Sequence, residues 1–143
     1  MNWRCLVCVC VVLAAGCSDD TPTSPSDTPT TPTPAAPTVT EQFDGVVPVG
    51  GSKFYSFTTT TYGTINLTLT TVGGTFVPAT VMLGIGLGQP SGTDCITTTI
   101  VNTDAGSTVQ VTGNHDPAVY CAKVSDIGNL FAPATFTMAI AYP

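Results

Sequence analysis

The chain has 143 residues, 43% hydrophobic and only 8% charged, with three Lys plus Arg against nine Asp plus Glu. A formal charge of −6 excludes nucleic acid and anionic lipid headgroups as main partners, because both are held by basic patches. With so few charges, folding must rest on apolar burial and backbone hydrogen bonding, and the length leaves room for one modest domain.

The chain opens with an apolar run from Cys5 to Val12, preceded by a single charge at Arg4. A membrane helix needs about 20 apolar residues. This run ends at Gly16 and is followed by Ser18-Asp19-Asp20, so it reads as a secretory signal over residues 1–16. Ala15 and Gly16 supply the small side chains that a signal peptidase accepts beside the scissile bond. The stretch Leu13-Ala14-Ala15-Gly16-Cys17 resembles the lipobox of bacterial lipoproteins. That resemblance implies diacylglycerol on the Cys17 thiol, cleavage before Cys17 and N-acylation, so that a membrane becomes a partner through two or more acyl chains. Ser18 after the Cys implies, by the same resemblance, sorting within the cell envelope to the outer membrane. Loss of Arg4 leaves two basic residues against nine acids, a mature charge of −7.

Residues 17–38 are mostly Thr, Pro, Ser, Ala and Asp, with Pro at 22, 25, 29, 32, 34 and 37. No apolar period runs through them, so they predict a disordered linker of extended polyproline character, about 3.1 Å per residue. Its Thr and Ser density also permits O-glycosylation.

Cys5, Cys8 and Cys10 fall in the signal and Cys17 in the lipobox, which leaves Cys95 and Cys121. In an exported domain this even pair predicts a disulfide. The competing reading is a metal site, for which the single His, His115, completes only a weak ligand set.

Residues 39–143 alternate apolar and polar positions between Gly, Pro, Asn and Asp clusters, with no 3.6-residue period. The pattern predicts an all-β domain. Strands are expected at 39–47, 53–60, 64–71, 80–87, 95–101, 107–112, 118–125 and 135–142. The inward faces are Tyr55 and Phe57; Ile65, Leu67 and Leu69; Val81, Leu83, Ile85 and Leu87; Val109 and Val111; Tyr120, Ala122 and Val124; and Phe136, Met138, Ile140 and Tyr142. Cys121 then faces outward, where a sheet edge or loop brings Cys95 within reach. Gly84 and Gly86 predict close approach by a neighbouring segment, with a ligand platform as the alternative. Eight short strands in this length match a single antiparallel two-sheet β-sandwich.

Phe54-Tyr55-Ser56-Phe57, Gly63-Thr64-Ile65-Asn66-Leu67-Thr68-Leu69 and Ala118-Val119-Tyr120-Cys121-Ala122-Lys123-Val124 resemble bacterial pre-peptidase C-terminal domains. So does Phe136-Thr137-Met138-Ala139-Ile140. The resemblance implies a jelly-roll-like sandwich and an accessory role in targeting, solubility or substrate adhesion. Where that family carries acids before a strand, this chain has Val77-Pro78-Ala79-Thr80.

Catalytic sets are poor. A Ser/His/Asp site would have to use His115, and no Ser sits in a nucleophile elbow. Asp94, Asp104, Asp116 and Asp126 all fall in expected turns, where Asp satisfies backbone groups. A Ca²⁺ site would draw first on Asp104, Asp126 and Asn129, though no EF-hand spacing is present. The sequence therefore predicts a non-catalytic, lipid-anchored envelope module with a protein or glycan ligand. The alternatives are an accessory subunit of an exported hydrolase or a structural surface component without a specific ligand.

Overall fold

Alternating side chains put one face of each strand in the core and the other in water, and the structure follows that alternation. The computed structural model describes residues 30–143; the expected signal, Cys17 and the linker up to residue 29 lie outside the described residues. Eight strands form: β1 (Val39–Val47), β2 (Ser52–Thr58), β3 (Gly63–Gly73), β4 (Leu83–Ser91), β5 (Asp94–Thr103), β6 (Val111–His115), β7 (Val119–Ser125) and β8 (Ala134–Tyr142).

The strands make two four-stranded antiparallel sheets, sheet I in the order β1-β8-β3-β6 and sheet II in the order β2-β7-β4-β5. β1 pairs with β8, β2 with β7, β3 with β6 and β4 with β5. Such nested pairing is a long hairpin, closed at the β4–β5 turn, wound into two layers: the jelly roll.

Ile65, Leu67, Leu69, Phe136, Met138 and Ile140 of sheet I meet Phe57, Leu83, Ile85, Leu87, Ala122 and Val124 of sheet II in one buried cluster. Burying each large aliphatic side chain contributes roughly 2 kcal/mol before chain entropy is set against it. Aromatic rings close the two flanks. Phe57 packs 5.0 Å from Tyr142 and 6.2 Å from Tyr120, and Phe43 stacks 4.4 Å from Tyr55.

Odd-numbered strands run away from the point where the N-terminal segment joins the sandwich, and even-numbered strands return. The β1–β2, β3–β4, β5–β6 and β7–β8 connections therefore gather at one end, called here the distal pole. At the opposite pole the joining segment is longer than expected. Ala35 N donates to Tyr62 O (3.0 Å), Thr64 N to Ala35 O (2.9 Å) and Thr38 N to Tyr142 O (2.9 Å). Ala35 and Thr38, ahead of β1, are thus hydrogen-bonded to the sandwich. Gly63 makes this possible, since a Cβ there would sit 2.4 Å from Ala35 O.

Two further expectations change. β4 runs on to Ser91, past its expected end at residue 87. β7 pairs with β4 only as far as Gly88, so Pro90 sits where one side of β4 needs no N–H. The sixth strand is Val111–His115 instead of 107–112, and Val109 is exposed rather than inward. Gln110 is the cause. Its Oε1 accepts from Leu69 N at 2.8 Å, so a side chain takes the place of a strand partner and the preceding residues swing out.

Candidate functional site

The expected disulfide forms between Cys95 and Cys121, both buried. Its geometry needs explaining, because β5 and β7 are not neighbours; β4 lies between them. Two strand spacings are about 9.6 Å, yet the two Cα atoms are 5.9 Å apart. β5 closes the gap by climbing over the outer face of β4. Leu87 pairs with Thr99 but Gly88 with Thr97, so Thr98 is an extra residue and β5 bends there. The Ile96 carbonyl then occupies the space of a side chain at position 88, only 1.9 Å from where a Cβ would stand. Gly88 is the notch that lets the disulfide cross the strand.

The same bend shapes an open groove of about 290 Å³ on the outer face of sheet II. Gly86 forms its floor. Thr97 and Ile100 line it from β5, Lys123 and Ser125 from β7, Ser52 from the start of β2, and Gly50 and Gly51 from the β1–β2 turn. Lys123 Nζ donates to Asp94 Oδ1 (2.9 Å) and lies 3.4 Å from Cys95 O, so one end of the groove is tied to the disulfide. The Lys123 ammonium and the Cys95 N–H together hold the Asp94 carboxyl below the usual carboxylate range.

Asp126 closes the other end. Its Oδ2 accepts from Gly50 N at 2.7 Å, and its Oδ1 accepts from Gly128, Asn129 and Leu130 N at 2.8, 3.1 and 3.2 Å. These donors, the Gly50 N–H first, depress its pKa. One carboxylate thereby fastens the β1–β2 turn to the β7–β8 connection, the turn chemistry that the sequence predicts for Asp.

The three Ca²⁺ candidates do not make a ligand set. Backbone N–H groups, not oxygens, converge on Asp126, and a cation could not share that position. Asn129 is beside it, but its Nδ2 donates to Met82 O at 3.0 Å. Asp104 follows β5 and makes no side-chain hydrogen bond to either. Among the described residues no group of three His, Cys, Asp or Glu is placed to hold a metal.

His115 ends β6 and packs edge-on against Tyr120, with ring centroids 5.3 Å apart. The Asp116 carbonyl accepts from Tyr120 Oη at 2.8 Å. These residues buttress the pole at which the N-terminal segment joins.

Sequence reading missed two features of the distal pole. Phe76 is 92% exposed and Phe131 is 98% exposed. Phe76 also has φ of 66°, a left-handed conformation unusual for a bulky residue. No periodicity signals a side chain that a loop holds outward. Compared with protein-family models and with curated proteins, the sequence matches none.

Proposed function

We propose that this chain is a non-catalytic, lipid-anchored β-sandwich of the cell envelope that binds a glycan along the outer face of sheet II. The observation that carries the ligand reading is the groove itself. Its walls bear the hydroxyls of Thr97, Ser52 and Ser125, and Ile100 offers an exposed apolar contact. Hydroxyls and backbone groups beside aliphatic carbon suit a neutral polyhydroxylated chain, whose edges hydrogen-bond while its C–H faces lie on that carbon. The −7 charge disfavours polyanions.

The anchor rests on Leu13-Ala14-Ala15-Gly16-Cys17. On this reading residues 17–31 are the tether, the outer membrane is the site, and the module is accessory to exported enzymes, as the likeness to pre-peptidase domains implies. Metabolic labelling with a fatty acid analogue is expected to mark the natural chain and not Cys17→Ala. Equal labelling of both removes the anchor.

The ligand is tested on a glycan array with the mature chain and with Thr97→Ala/Ile100→Ala. Retention of a neutral glycan by the first and about tenfold weaker retention by the second is expected, following the loss of a hydrogen bond and an apolar contact. An array with no retained glycan sinks the groove reading and favours a structural surface component.

A further inference from the structure

Phe76 and Phe131 break two local rules. Each leaves nearly its whole ring in water, and Phe76 adopts a backbone conformation that favours Gly or Asn. Outliers of this kind persist where the surroundings over-determine them, and here they do. Val77 next to Phe76 and Leu130 next to Phe131 are buried core residues, so each connection is nailed down beside its aromatic. The two connections also run side by side between the sheets. Thr135 Oγ1 donates to Gly73 O (3.0 Å) at the sheet I end, and Asn129 Nδ2 to Met82 O (3.0 Å) at the sheet II end. Val49, Met82 and Ile127, all partly exposed, stand on the same pole.

The chemistry of the pole narrows its occupant. Gly74–Met82 and Ile127–Pro133 contain no charged residue in a chain that is otherwise acidic. The carboxylate beside them, Asp126, is turned onto backbone N–H groups. They also offer few polar side chains for the hydroxyls of a sugar: Thr75, Thr80 and Asn129, whose Nδ2 is bonded to Met82 O and whose Oδ1 is buried. Rigid rings without charge match a hydrocarbon phase, which takes in apolar side chains without needing partners of its own.

We propose that Phe76 and Phe131 form an apolar tip that inserts into the acyl region of an uncharged lipid bilayer. The tip needs no lipid on Cys17.

The test uses the mature chain with Cys17→Ala, so that acylation cannot carry it, and phosphatidylcholine vesicles in a sedimentation assay. Binding is expected, unchanged from low to high salt. Phe76→Ser and Phe131→Ser each weaken it about tenfold, and together about a hundredfold, as loss of buried ring area requires. Melting temperatures no lower than the parent's show that these exposed changes leave the fold intact. Phe131→Trp provides the only indole after residue 16; its emission shifts to the blue and is quenched by brominated acyl chains. No binding to the vesicles, equal binding by the double Ser variant, or binding abolished by salt overturns the proposal. So does dependence of the two rings on a glycan or an exported protein in place of lipid.

Discussion

At the scale of single residues, the structure separates side chains that hold the fold from those that it holds out. Phe76 belongs to the second kind. Left-handed backbone costs an ordinary residue about 1 kcal/mol, and Asn tolerates it better. Phe76→Asn is therefore expected to raise the melting temperature by about 4 °C, read by calorimetry; a fall shows that the ring supports the loop. Asp126 is of the first kind. Asp126→Ala removes the acceptor from four N–H donors, two of them open to water, and is expected to lower stability by about 1 kcal/mol in urea titration at pH 7. The folded-state pKa of Asp126 lies below the unfolded value. Its contribution is complete above about pH 4 and fades as pH falls through the folded value, so parent and variant converge in acid. A gap that stays constant below pH 4 contradicts this account. Asp126 was legible as a turn residue because Asp caps turns through its own side chain. Its reach to Gly50, 76 positions away, was not, because nothing local encodes it.

At the scale of elements, strands with strict alternation were legible to within a residue or two. β1 matches its expected bounds, and β8 starts one residue early. Misreadings arose where a side chain or an edge altered the ladder: Gln110 displaced β6, and Pro90 concealed the end of β4. The glycines of β4 were legible as marks of close approach, and the approaching segment is β5. Gly88→Val puts a branched side chain where the Ile96 carbonyl lies. The expected result is a chain whose two late thiols react with maleimide under native conditions. Persistent protection of both thiols means that β5 reaches Cys121 without the notch.

At the scale of the whole molecule, a two-layer all-β architecture was readable from eight alternating segments, whereas the order of strands within the sheets was not. Order depends on which edges meet, and alternation fixes only which face is inward. The disulfide acts at this scale because it restrains the unfolded chain. Closing a loop of 26 residues contributes about 3.5 kcal/mol on the chain-entropy model. The double replacement Cys95→Ser/Cys121→Ser is expected to lose about that amount in chemical denaturation. A loss under 1 kcal/mol shows that the reduced chain is already restrained.

The nested pairing has one more outcome, in time rather than space. β8 sits in the middle of sheet I, between β1 and β3, yet it follows the other seven strands in the chain. Until Ala134–Tyr142 docks, β1 has no neighbour on which to lie, and half the sandwich has no centre. A sandwich built this way joins strands far apart in sequence, and such non-local pairing makes folding slow.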